Sequence, residues 1–84
     1  MKGIRLSHGA VFVTDGLWTV RLLPSGKCTP SPISYAILEH DMASEPPSRW
    51  EYIGEGEILS LPNGGGEKIV KALEKLHGKK GKRK

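Results

Sequence analysis

The segment "HGAVFVTDGLWTVRLL", residues 8–23, carries the clearest pattern for a β-hairpin. Apolar and polar side chains alternate on both sides of Asp15 and Gly16, which is the period of a β-strand with one buried face. An Asp-Gly pair also tolerates the positive φ angles of a tight hairpin turn. A two-residue loop at this point predicts that Val13 faces Trp18 across an antiparallel hairpin.

The two faces of this hairpin differ in character. One face is expected to enter the core, because its side chains are all large and apolar: Val11, Val13, Trp18, Val20 and Leu22. The other face carries Phe12, Thr19 and Arg21. An aromatic and a basic side chain on an open face would suit a nucleic acid, because bases stack on aromatic rings.

The rest of the chain predicts further strands around this hairpin. "MKGIRL" (1–6), "RWEYI" (49–53) and "EGEILSL" (55–61) are strand candidates, and the aromatic side chains of the second are expected in the core. "PSGKCTPSP" (24–32) is expected to be a loop or a sheet edge, because its prolines cannot donate to a sheet ladder. "ISYAILE" (33–39) is predicted as a strand, with a short helix over "YAILEHDMA" (35–43) as the alternative.

The segment "NGGGEKIVKALEKLHGKKGKRK", residues 63–84, predicts one amphipathic helix. Its apolar side chains recur at helical spacing: Ile69, Val70, Ala72, Leu73 and Leu76. Asn63 is a candidate helix cap, and Gly78 is expected to end the helix. We therefore predict an α+β domain over residues 1–78, with an antiparallel sheet of four to five strands and this helix packed on one face. A flexible basic tail over 79–84 is expected to follow.

Basic charge is concentrated at the end of the chain. The net charge is +4, but without residues 78–84 the chain has eight basic and nine acidic residues. Four lysines are expected to share the solvent side of the predicted helix, next to the basic tail. Phosphate contacts with DNA or RNA would then be driven by counterion release, and a merely solvated helix face is the alternative. The candidate nucleic-acid-binding residues are Lys68, Lys71, Lys75, Lys79, Lys80, Lys82, Arg83, Lys84 and Arg21.

The glycine run before the helix does not match a phosphate-binding loop. A Walker-type loop needs Gly-Lys followed by Ser or Thr. Here Glu67 separates Gly66 from Lys68, and Ile69 occupies the position of the hydroxyl residue. We expect a connector into the helix instead.

The sequence does not indicate catalytic, metal or cofactor chemistry. His8, His40, His77 and Cys28 are scattered and lack the spacing of metal ligands. No nucleophile has a predicted histidine partner. We expect a non-enzymatic protein without cofactor or metal. One cysteine, no signal-peptide pattern and no apolar run of about 20 residues predict a soluble cytoplasmic protein without a membrane partner.

Several strands followed by one C-terminal helix resemble, in topology alone, the single-stranded-DNA-binding transcriptional coactivators. The resemblance implies an α+β fold and a homodimer, but no residue pattern carries their site residues over. The alternative function is a small protein-binding regulator or inhibitor of phage or mobile-element type, acting through a sheet edge in "CTPSPISYAILE" (28–39) or a sheet face. Nucleic acid, a protein partner and a second copy of the chain all remain expected partner classes.

Overall fold

The strand and helix patterns of the sequence give an α+β architecture. The computed structural model describes residues 1–42 and 50–81. Its strands are β1 (Lys2–Leu6), β2 (Val11–Thr14), β3 (Thr19–Leu22), β4 (Cys28–Pro30) and β5 (Trp50–Ile53). Its helices are α1 (Tyr35–Met42), α2 (Glu55–Leu59) and α3 (Gly65–Gly81), with a 3-10 turn at Pro62–Gly64.

The strands form one antiparallel sheet in the order β4-β3-β2-β1-β5, so that β4 and β5 are its edges. Helices α2 and α3 pack on one face, and α1 packs on the other. The predicted sheet with an amphipathic C-terminal helix on one face is confirmed. Because α1 lies between β4 and β5 in the chain, the element order that suggested a resemblance to the coactivators is not found.

The β2–β3 hairpin forms with a longer loop than predicted. Val13 lies opposite Val20 and Thr14 opposite Thr19, so the predicted pairing of Val13 with Trp18 is wrong by two residues. A shift of two leaves every side chain on its predicted face, because side chains alternate with a period of two. The core face was therefore predicted correctly although the register was not.

Asp15 explains the longer loop. Its Oδ1 atom accepts hydrogen bonds from the N–H groups of Leu17 and Trp18, both at 2.9 Å. An aspartate side chain that bonds the backbone two and three residues further on builds its own turn. Thr14 closes the loop from the other side, since its hydroxyl donates to the carbonyl of Trp18 at 2.9 Å.

Two segments predicted as strands are helices. In α1, Tyr35 and Leu38 are the buried side chains, and this spacing of three belongs to a helix. The hydroxyl of Ser34 accepts from the N–H of Ile37 at 3.3 Å and so caps the first turn. The short helix considered as the alternative is thus the correct interpretation.

The other segment predicted wrongly as a strand is α2. Glu55 and Glu57 lie in its first turn, where carboxylates are favoured by the helix dipole. Ile58 is fully buried, whereas Leu59 is 52% exposed. The five residues of α2 are too few to show the period of a strand or of a helix. The sequence pattern alone could therefore not decide between these two kinds of element.

The main core lies between the sheet and α3. Its buried members come from both layers, as predicted for the helix and the hairpin: Val11, Val13, Val20, Leu22, Ile53, Ile58, Ile69 and Leu73. Trp18 and Leu76 pack partly buried against them. A smaller cluster on the opposite face joins Phe12 to Ala10 and to Leu38 of α1.

The glycines before α3 allow close packing. A Cβ atom at Gly66 would lie 2.5 Å from the carbonyl oxygens of Ile58 and Leu59, so α3 begins in direct contact with the end of α2. Asn63 is not the helix cap, since it has a left-handed backbone with φ 60° and lies in the 3-10 turn. The predicted helix end at Gly78 is also wrong, because α3 continues to Gly81.

Candidate nucleic-acid interface

Three of the predicted lysines share one side of α3. Lys68, Lys71 and Lys75 are exposed, and together with Cys28 and Ala72 they line a shallow depression between the helix and β4. Their positions span about 10 Å along the helix at a rise of 1.5 Å per residue. The structure therefore brings this part of the predicted site together at the β4 edge of the sheet.

Lys68 is tied to the sheet. Its Nζ atom donates to the carbonyl oxygen of Gly26 at 2.9 Å. Gly26 lies in the β3–β4 turn with φ 98°, and its N–H donates to the carbonyl of Leu23 at 2.8 Å. The lysine therefore fixes the start of α3 against the turn, and Lys71 and Lys75 are left as the more available cations.

No carboxylate neutralises these lysines in the part of the chain that the structure describes. The ion pairs there join other residues: Met1 with Glu55, Lys2 with Glu39, Arg5 with Glu51, His40 with Asp41, and His77 with Asp15. Glu67, four residues before Lys71 on the helix, is not among these ion pairs. The positive charge of the helix face is thus open to an external anion.

Cys28 forms part of the floor of the depression. Burial raises the pKa of its thiol, although the positive charge of Lys68 opposes that change. The thiol is therefore neutral near pH 7, and a neutral thiol is a poor nucleophile. The depression offers cations to a ligand but no activated sulfur.

Arg21 lies at the same sheet edge as the lysines but on the other face. It is exposed on β3 and lies opposite Thr29 of β4. The β3 side chains that pack under α3 are Val20 and Leu22, and alternation directs Arg21 away from them. Arg21 is therefore not part of the depression. A single contact surface on the helix would require it to be there.

Lys27 is a basic residue that the sequence interpretation missed. It is exposed and directly precedes β4, and its carbonyl accepts from the N–H of Leu23 at 2.8 Å. Its place in the β3–β4 turn puts it next to Gly26, whose carbonyl accepts the hydrogen bond from Lys68 at the start of α3. The hairpin geometry of β3 and β4 was needed to see this proximity.

The remaining predicted site residues fall outside the described side chains. The backbone of Lys79 and Lys80 forms part of α3, which ends at Gly81. Lys82, Arg83 and Lys84 follow the last described residue. Their contribution stays a prediction.

The acidic surface lies at the opposite edge of the sheet. Glu51 is exposed on β5, and Glu55 and Glu57 are exposed on α2. Arg5 meets Glu51 at 2.5 Å. Four strand spacings of about 4.8 Å place this edge roughly 19 Å from β4. Charge is therefore separated across the sheet, with the lysines of α3 at one edge and these carboxylates at the other.

The aromatic side chains do not join the lysines. Trp50 and Tyr52 form an edge-to-face pair with centroids 4.9 Å apart on β5, at the acidic edge. Tyr52 is 58% exposed, so its expected place in the core is wrong. Phe12 is buried beneath α1. Neither aromatic set offers a stacking platform beside the cations.

Two histidine–aspartate contacts lie in different parts of the described structure. His40 lies 3.8 Å from the carboxylate of its neighbour Asp41, and His77 contacts Asp15. Across residues 1–42 and 50–81, no three histidine, cysteine, aspartate or glutamate side chains come together as a set that could hold a metal ion.

No family model, curated protein or solved structure matches this chain. We therefore infer a function from the geometry and charge of the described residues.

Proposed function

We propose that this protein is a non-enzymatic nucleic-acid-binding protein whose contact surface is the lysine face of α3, continued by the basic residues after Gly78. The observation that carries the proposal is the unneutralised set of Lys68, Lys71 and Lys75 at the β4 edge. Lysines that replace the counterions of a phosphate backbone release those ions, which drives binding.

The arrangement of charge supports a polyanion over a small acidic ligand. The lysines lie in a row about 10 Å long, and the depression they line is shallow, with a volume of about 320 Å³. Phosphates recur along a nucleic-acid strand every 3.4 Å of helix axis, so a backbone can meet successive lysines. The acidic opposite edge would repel the same ligand and orient the protein.

Cellular location is part of this proposal. No helix among residues 1–42 and 50–81 combines the length and apolar character needed to cross a membrane. We place the protein in the cytoplasm, where nucleic acid is available and where a free thiol such as that of Cys28 stays reduced.

The proposal is tested by a salt titration of binding to a labelled nucleic acid. Wild type should lose affinity linearly on a log–log plot as salt rises, and Lys71→Gln with Lys75→Gln should lower the slope by about 1.8, or 0.9 per phosphate contact. Affinity that ignores both the salt and the substitutions would contradict the proposal.

A protein-binding regulator is the second candidate, and one observation favours it. Leu17 and Ile37, each 56% exposed, and Ile33, 46% exposed, are large apolar side chains open to solvent at or near α1. The predicted sheet edge is less suitable, because β4 has three residues and ends in Pro30. A pull-down with and without nuclease separates the two functions, since a partner retained after nuclease treatment favours the regulator.

A further inference from the structure

The β5 edge of the sheet lacks the features that protect the β4 edge. Natural sheets guard their edges with very short strands, prolines or lysines. β4 has three residues and ends in Pro30, which has no N–H. β5 has four residues with neither proline nor lysine, and no other strand within residues 1–42 and 50–81 lies beyond it. A further strand can therefore add at β5.

The hydrogen-bond pattern of the sheet directs the backbone of Tyr52 outward. The N–H of Leu6 donates to the carbonyl of Ala10 at 2.9 Å, at the turn between β1 and β2. Successive residues of a strand direct their backbone groups to opposite sides, so Arg5 bonds toward β5, where it lies opposite Glu51. Glu51 then bonds toward β1, and the N–H and C=O of its neighbour Tyr52 point away from β1.

An aromatic pair lies on the α1 side of this edge. Tyr52 is opposite Ile4, and Ile4 is opposite Phe12 beneath α1, so the Tyr52 ring lies on that face. The ring is 58% exposed and packs edge-to-face against Trp50. Aromatic residues pair favourably with β-branched or aromatic residues of a neighbouring strand. An added strand would therefore place an apolar side chain next to Tyr52.

Carboxylates lie on the other side of the same edge. Alternation along β5 puts Glu51 on the face that carries α2, where Glu55 and Glu57 are also exposed. Arg5 pairs with Glu51, and the amino group of Met1 pairs with Glu55. Glu57 is in none of the ion pairs between described residues, so this side keeps a negative charge. A strand residue next to Glu51 would therefore be favoured as Lys or Arg.

We propose that the β5 edge binds an extended segment of a partner protein as a sixth strand, in which apolar and basic residues alternate. The apolar residues lie on the Tyr52 side and the basic residues on the Glu51 side, while the backbone of Tyr52 supplies main-chain hydrogen bonds. This contact goes beyond the proposed nucleic-acid function, because it uses the edge opposite the α3 lysines and does not involve them.

A second copy of the chain fits this edge less well than a basic segment does. In a symmetric antiparallel pairing of two β5 strands, the acidic sides of both copies lie on the same face of the joined sheet. The glutamates of one copy would then lie near those of the other, and like charges on neighbouring strands are destabilising. A basic segment meets the same glutamates with opposite charge.

The test begins with two short fluorescent peptides whose binding is measured by fluorescence anisotropy. In one peptide lysine and valine alternate, and in the other glutamate replaces every lysine. Wild type should bind the lysine peptide about tenfold more tightly than the glutamate peptide, because only the first matches the charge of β5 and α2. Equal binding of the two peptides overturns the proposed charge match.

Two substitutions at position 52 separate the backbone contact from the side-chain contact. Tyr52→Pro and Tyr52→Val both remove the ring, but only proline also removes the N–H. That N–H points away from β1, so proline at this edge leaves the bonds of the sheet in place. Tyr52→Pro should bind the lysine peptide about tenfold more weakly than Tyr52→Val. Equal affinities of the two variants overturn binding as an added strand.

A pair of double variants tests the acidic side. Glu51→Gln with Glu57→Gln should weaken binding of the lysine peptide about fivefold and lower its dependence on salt. The matched control is Glu67→Gln with Glu74→Gln, which changes the net charge equally at exposed positions of α3 and should stay within about twofold of wild type. Circular dichroism checks that each variant is folded. If Tyr52→Pro does not fold, the double variants and the glutamate peptide decide.

The remaining outcomes contradict the proposed partner. Equal losses in the two double variants would show that affinity follows net charge, and no binding of either peptide by wild type would show that the edge takes no such segment. Self-association of wild type in analytical ultracentrifugation, lost in Tyr52→Pro but kept in Tyr52→Val, would assign the edge to a second copy. Nucleic-acid binding by the α3 lysines is measured separately and is unaffected by these results.

Discussion

The Nε2 atom of His77, near the end of α3, contacts the Oδ2 atom of Asp15 in the β2–β3 loop, 62 positions earlier in the chain. Asp15 therefore joins two parts of the fold, because its Oδ1 atom already bonds the N–H groups of Leu17 and Trp18. The contact holds the distal part of α3 over the hairpin, just as Lys68 holds its beginning against the β3–β4 turn. The lysine row lies between these two attachments.

The Asp15 contacts predict a loss of stability in acid. Partial burial alone would raise the pKa of Asp15, but the N–H of Trp18, the His77 ring and the N–H of Leu17 outweigh it and lower the pKa from 3.8 to about 2. A folded-state pKa below the unfolded value adds stability above about pH 4 that is lost as the pH falls through 2. We expect this contribution to be about 1 kcal/mol, allowing for solvent screening.

Urea unfolding of wild type and Asp15→Asn at pH 7, 4 and 2 measures this contribution. The asparagine oxygen can still accept from the loop N–H groups, but this side chain carries no charge. The variant should therefore be less stable than wild type at pH 7, and the two free energies of unfolding should converge near pH 2. Glu74→Gln, on the exposed side of α3, is the matched control, because it also removes one carboxylate but leaves the Asp15 contacts in place. A constant difference between Asp15→Asn and wild type at all three pH values would refute the assignment.

Two of the glycines in α3, Gly66 and Gly78, predict opposite effects of one substitution. Gly66→Ala should destabilise the fold by about 1–3 kcal/mol, because the new methyl group would overlap the carbonyls at the end of α2. Gly78→Ala meets nothing within 4 Å and should stabilise the helix by up to about 1 kcal/mol. Thermal and urea unfolding measure both, and similar effects at the two positions would contradict the packing.

Neighbouring residues of α2 test how that segment packs against the core. Ile58→Ala should cost about 2–5 kcal/mol, because Ile58 is fully buried. Leu59→Ala should change the unfolding free energy by less than about 0.5 kcal/mol, because Leu59 is mostly exposed. Comparable losses at both positions would mean that both side chains are buried and that the α2 geometry is incorrect.

The sequence predicted faces better than registers or short elements. Alternation placed Val13 and Val20 on the core face, but the loop length depended on which N–H groups the Asp15 side chain bonds. The segments of α1 and α2 are too short for a helical period to stand out in the sequence. The Ser34 cap and packing on the sheet favour the helix in α1, and packing on the other face favours it in α2. The long apolar repeat of α3 had no such ambiguity.

The candidate site was predictable where it depends on one element. Helical spacing alone brings Lys68, Lys71 and Lys75 to one side, as the structure has them. The place of Lys27 beside the β4 edge depends on strand pairing, and the hydrogen bond of Lys68 to Gly26 joins residues 42 positions apart. Such contacts need the tertiary structure, because no local period encodes them.

The most direct test of the central claim compares duplex DNA binding of wild type, Lys71→Gln with Lys75→Gln, and Lys2→Gln with Arg5→Gln, across a series of salt concentrations. We expect about a tenfold loss at low salt and a slope lower by about 1.8 for the α3 variant, with the β1 variant close to wild type. Equal affinities for all three proteins, or equal losses in the two variants, would contradict a nucleic-acid site on the lysine face of α3.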